Sequence, residues 1–110
     1  MDNITRVAKS LREGAYIASP HQCAEDKAIL AGEFAWVMSQ LENVLQKKPS
    51  VWGTIRLQTK SDTSAEKVWQ ASEDGINEIG LRLRAKSIEK MMSALGTLVS
   101  LAERESKNLL

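Results

Sequence analysis

The chain has 110 residues, enough for one domain and too few for two of ordinary size. Hydrophobic residues make up 43% and charged residues 26%, which excludes an intrinsically disordered chain. Fifteen Lys+Arg against fourteen Asp+Glu leave a net charge of +1, which excludes a histone-like polycation and an acidic tail as the default reading.

The opening Met1-Asp2-Asn3-Ile4-Thr5-Arg6 is polar and leads into no apolar signal core. The longest apolar run, Phe34 to Met38, is five residues, far short of the ~20 a membrane span needs. A reduced, cytoplasmic setting is the expectation, with no membrane contact. One Cys cannot form an internal disulfide, and one Cys with one His cannot build a zinc site unaided.

Asn3 to about Ala18 reads as a short first helix capped by Asn3. Ile4, Val7, Ala8, Leu11 and Ala15 share a face, and Gly14 weakens the stretch. Ser19-Pro20-His21-Gln22 then reads as a capping box with proline at the first helical position. Glu25 and Asp26 sit in the first turns, where negative charge suits the helix dipole. Cys23, Leu30, Phe34, Val37, Leu41 and Val44 form an apolar seam, with Lys27 its polar member. Lys47 and Lys48 suit a last turn, and Pro49 is expected to end this helix, which therefore runs about 20–48. The segment 50–60 fits a short helix followed by a loop better than a lone strand, because a single strand has no partner for its ladder.

Thr63 with Glu66 reads as a second capping box, with Asp62 a competing cap. No proline follows, so the reading is one long helix over about 63–106, with Asp74-Gly75 the alternative place for a turn. Leu109-Leu110 after it reads as a frayed end. The expected fold is all-α: a single domain with two long helices in a hairpin or bundle, one or two short helices, and completion by oligomerisation.

A helix of ~63 Å exceeds a compact domain whose radius of gyration is near ~13 Å. Part of it needs cover from a second chain. The apolar stripe also turns near residues 80 to 85. Ala65, Trp69, Ile76, Ile79 and Leu83 point one way; Leu81, Ala85, Ile88, Met92, Leu95, Val99 and Ala102 point another. Self-association is expected through Ile76, Ile79, Gly80, Leu83, Ile88, Met92, Leu95 and Val99. Two antiparallel copies crossing near Gly80 set Glu78 opposite Arg82 and Asp74 opposite Lys86. The alternative for Glu78 and Arg82 is an i,i+4 pair on one helix.

Arg82, Lys86 and Lys90 make one basic stripe, and Arg56 with Lys60 a second i,i+4 pair; these are the residues for contact with nucleic acid or an acidic partner. Trp52 is a candidate for stacking on a base. No catalytic motif is present: His21 and Cys23, two apart on a helix, point away from each other, and no metal-ligand spacing occurs. The reading is non-enzymatic, without cofactor, metal or small-molecule substrate. A homodimer that binds or inhibits a larger protein partner is expected, with nucleic-acid binding the alternative. In size and helical composition the chain is similar to small accessory proteins of phages and mobile elements. That resemblance implies action by contact.

Overall fold

A computed structural model describes residues 2–108, and Leu109-Leu110 lie outside them. The described residues form four α-helices and one short 3-10 turn, with no strand among them. They divide into two compact units, Met1–Ala35 with Lys86–Leu110, and Trp36–Ala85.

The first unit opens with α1, Asn3–Arg12. Its cap is Asp2, not Asn3: the Asp2 carboxylate accepts from the Thr5 amide at 2.7 Å. Asn3 instead donates its side-chain amide to Glu33 at 3.1 Å. Gly14 does not weaken a helix. It ends one, with φ +69° in the left-handed region that favours glycine. The 3-10 turn Ala15–Ala18 follows and leads into α2, Pro20–Leu57. Pro20 takes the first helical position as expected. The Ser19/Gln22 box does not form: the Ser19 backbone amide donates to the Tyr16 carbonyl at 3.2 Å and the Gln22 side-chain amide to Asp26 at 3.1 Å.

Val7, Tyr16, Cys23, Leu30, Ile88, Met91 and Leu95 make the core of this unit. Buried among them is a carboxylate, Asp26, fully shielded from solvent. Arg6 donates to both of its oxygens at 2.9 Å, and the Tyr16 hydroxyl donates to one at 2.5 Å. A buried charge is tolerated only when paired and hydrogen-bonded, and four donated bonds meet that condition.

The second unit holds the rest of α2, all of α3 (Asp62–Ala71) and the start of α4 (Glu73–Asn108). Pro49 does not end α2; the helix runs through it to Leu57. An interior proline costs a helix roughly 3 kcal/mol. Contacts downstream offset that cost: Trp52 donates to Glu66 at 2.9 Å and Arg56 to Asp62 at 2.7 Å, tying the last turns to α3. The segment 50–57 is thus helical, as the end of α2.

The expected 63–106 helix is two helices that meet at Ser72. Ser72 has extended backbone, φ −74° and ψ 162°. Its hydroxyl donates to the Trp69 carbonyl and accepts from the Gly75 amide at 3.1 Å, so one side chain closes α3 and caps α4. The corner is tight: a Cβ on Gly75 would lie 1.7 Å from the Trp69 carbonyl oxygen. The cap of α3 is Ser61, which accepts from the Ser64 amide at 3.1 Å; neither Thr63 nor Asp62 holds that place. Val37, Leu41, Val44, Ala65, Trp69 and Ala85 form the core of the second unit.

Candidate self-association surface

The break at Ser72 reassigns the apolar stripe that changes direction. Ala65 and Trp69 face inward from α3, and both are buried. On α4 the inward face is Leu81, Ala85, Ile88, Met91 and Leu95, of which Ile88 and Leu95 are fully buried. Ile76, Ile79 and Leu83, at spacings of three and four, lie on a different side and are 62%, 44% and 64% exposed. Gly80 sits between them, exposed, with nothing within 4 Å of the position of a Cβ.

The eight residues expected for self-association therefore fall into two sets. Ile76, Ile79, Gly80 and Leu83 share one exposed stripe in the second unit. Ile88 and Leu95 are core of the first unit, and Met92 and Val99 are half-buried beside them.

The charges sort as sharply. Glu78 and Arg82 pair within one helix at 2.8 Å, and Asp74 pairs with Lys47 at 3.0 Å. The acids expected to reach bases on a second copy are already held in their own chain. Among the basic residues expected to touch a partner, Arg56 is bound to Asp62 and Arg82 to Glu78. Lys60, Lys86 and Lys90 are exposed and in no ion pair among the described residues. The same holds for Glu73 and Arg84 on α4.

Glu78 is the polar centre of the second unit. It is largely buried and accepts from the Trp69 indole at 3.0 Å and the Arg82 guanidinium at 2.8 Å, with the Lys48 ammonium 3.0 Å away. Burial opposes its charge, but these three donors outweigh burial and push the Glu78 carboxyl down to about 2. Lys48 also lies 3.6 Å from Glu66 and 5.3 Å from the Trp69 ring centre. The cluster fastens α3 to α2 and α4. All its groups are spent on one another.

The remaining candidates are likewise engaged. Trp52 donates its indole N–H to Glu66 and lines a shallow cleft of about 300 Å³ with Leu45, Lys48 and Pro49. Cys23 is fully buried beside the Leu95 carbonyl, its Sγ at 3.4 Å, and burial pushes its thiol up. That is the reverse of an activated thiolate at a helix start. His21 is exposed and pairs with Glu25 at 3.0 Å. Among the described residues no group of three or more His, Cys, Asp or Glu is arranged to hold a metal ion, and no helix is long and apolar enough to cross a membrane.

Two residues were missed by sequence reasoning. Asp26 does not simply serve the helix dipole: Cys23 and Leu30 flank it at i−3 and i+4, which places it on the buried seam. Trp36, next to the buried seam residue Val37, stands outside the seam and is 61% exposed. No family model matches the chain, and neither a curated protein nor a solved structure matches it.

Proposed function

We propose that this chain acts by contact rather than by catalysis: it pairs with itself through α4, and the pair binds a larger protein partner. The observation that carries this reading is the exposed Ile76–Ile79–Leu83 stripe around Gly80. Apolar side chains clustered on one exposed helix face mark interaction surfaces. Gly80, at the edge of the stripe and midway along it, permits close approach of a second backbone. Charge adds direction. In an antiparallel crossing at Gly80, Glu73 of one copy comes level with the turn bearing Lys86 and Lys90 of the other. The arrangement is isologous, so each such contact occurs twice.

Sedimentation equilibrium at micromolar concentration tests the pairing. The expected result is twice the 12.2 kDa chain mass, with Leu83→Glu reverting it to monomer while retaining helical circular dichroism. A strict monomer across that range counts against the proposal. Nucleic-acid contact through Lys86 and Lys90 is the rival use of the same helix, favoured by their exposure and freedom from ion pairs. A salt-sensitive gel shift that Lys86→Glu removes, in a protein that stays monomeric, decides for it.

A further inference from the structure

Within the second unit α4 carries the charged residues Glu73, Asp74, Glu78, Arg82 and Arg84. Asp74 is held by Lys47, and Glu78 by Lys48 and Arg82. Glu73 and Arg84 are exposed, opposite in sign, and in no ion pair among the described residues. They stand roughly 16 Å apart along the helix, too far to reach one another within one chain.

Both border the apolar stripe on the same flank. At about 100° per residue, Ile76 and Leu83 lie within about 20° of each other and define a line along the outer side of α4. Glu73 and Arg84 lie about 70° and about 90° from that line in one rotational direction. Ile79 and Lys86 lie about 50° and about 70° from it in the other. Gly80 falls between the line and the Glu73–Arg84 flank, with nothing within 4 Å of the position of a Cβ.

A second copy laid antiparallel, with Ile76 opposite the partner's Leu83, has its two-fold axis between residues 79 and 80. Glu73 is then level with the partner's Lys86, and the partner's Arg84 is only about 3 Å away along the axis. A two-fold axis perpendicular to both helices keeps like flanks together. The partner's Arg84 therefore arrives on the flank that carries Glu73, and the partner's Lys86, though level, on the opposite flank. A parallel pair instead sets Glu73 level with the partner's Glu73 and leaves the opposite charges roughly 16 Å apart.

We infer that Glu73 pairs with the partner's Arg84, twice in each dimer, and that these contacts fix the antiparallel direction and register of the two α4 helices. The inference rests on the α4 pairing proposed above. The overlap of residues 73–86 is only about 21 Å of helix, too short to bury the roughly 800 Å² per partner of a standard interface. Direction therefore comes from charge more than from area. The open flank at Gly80 leaves room between the two symmetry-related contacts.

The test is charge exchange, read by sedimentation equilibrium at low salt. Glu73→Lys alone and Arg84→Glu alone each set like charges face to face twice, and each is expected to raise the dissociation constant roughly tenfold or more. Mixed in equal amounts, the two variants restore both opposite-charge contacts, and the average mass is expected to return close to that of the wild type. The double variant Glu73→Lys/Arg84→Glu is expected to do the same alone, and added salt to erase the differences. Acids suit the first turn of α4, so a Glu73→Lys chain that loses helical circular dichroism is replaced by a double-mutant cycle of Glu73→Gln and Arg84→Gln, in which non-additive losses are expected. A dimeric wild type whose single variants associate as tightly, whose mixture is no tighter than its parts, or whose cycle is additive overturns the inference and leaves the α4 pairing standing. A wild type that stays monomeric overturns both.

Discussion

Gly75 and Gly80 sit five residues apart in one helix, and their surroundings give substitution opposite signs. Alanine in an open helical position gains roughly 0.5–1 kcal/mol over glycine. Gly80 is such a position, with nothing within 4 Å, whereas a Cβ at Gly75 would fall 1.7 Å from backbone oxygen. Gly75→Ala is expected to lower unfolding stability by about 2 kcal/mol, since relief requires moving the α3–α4 corner. Gly80→Ala is expected to stabilise the single chain while weakening its self-association. Urea titrations at low protein concentration, with sedimentation beside them, separate the two effects. Asp26 carries a different liability. The Arg6 guanidinium holds its carboxyl below the usual range, against burial and with help from Tyr16 and Gln22. Asp26→Asn removes the charge that Arg6 pairs with. A loss of about 2 kcal/mol is expected, read as a lower urea midpoint.

Among the elements, α2 and the α3–α4 corner show where local signals and tertiary contacts disagree. Pro49 is a legitimate stop signal, and α2 ignores it because Trp52 and Arg56, three and seven residues further on, find partners on α3. Pro49 is exposed, so Pro49→Ala is expected to raise stability by up to ~3 kcal/mol, measured as a higher midpoint of thermal unfolding. Ser72 is the reverse case. Its neighbours look helical, and the break depends on one hydroxyl bonded to both helices. Ser72→Ala is expected to cost about 1 kcal/mol, the ordinary worth of a helix cap. The capping pattern there was hard to read because Gly75, not Glu or Gln, occupies the third position of α4. Ser61 is masked in the sequence by Thr63 with Glu66, which offers the more familiar capping spacing.

For the whole molecule, stability rests on two buried carboxylates, one in each unit, and that sets its response to acid. Glu78 is held at about 2 in the folded chain against 4.5 for an ordinary glutamate. Above pH ~4.5 its charge contributes fully; between there and pH ~2 the unfolded chain takes up the proton more readily, and the contribution is lost. Asp26 acts in the same direction. At the other extreme, burial and the Asp26 hydrogen bond push the Tyr16 phenol up to about 12, from 10, so stability is expected to fall as pH rises through that interval. Circular dichroism at 222 nm as a function of pH checks both limbs; Glu78→Gln is expected to flatten the acid one.

The helical class and the apolar seam Cys23–Leu30–Val37–Leu41–Val44 follow from residue order alone, because a 3.6-residue period is imposed by local backbone geometry. So does the grouping of Ile76, Ile79 and Leu83 on one side of a helix. Periodicity names faces, but it does not say which face meets a neighbour. Only the tertiary structure turned Ile88 and Leu95 into the core and left Ile76 and Leu83 outside it, because packing of α2 against α4 selects one side. Only it placed Asp74 on Lys47 and Glu78 on Lys48, pairings between residues distant along the chain. The acidic stretch behind the net charge of +1 is therefore mostly used within the chain, whereas Arg84, Lys86 and Lys90 of the basic stretch, with Glu73, stay exposed and in no ion pair among the described residues.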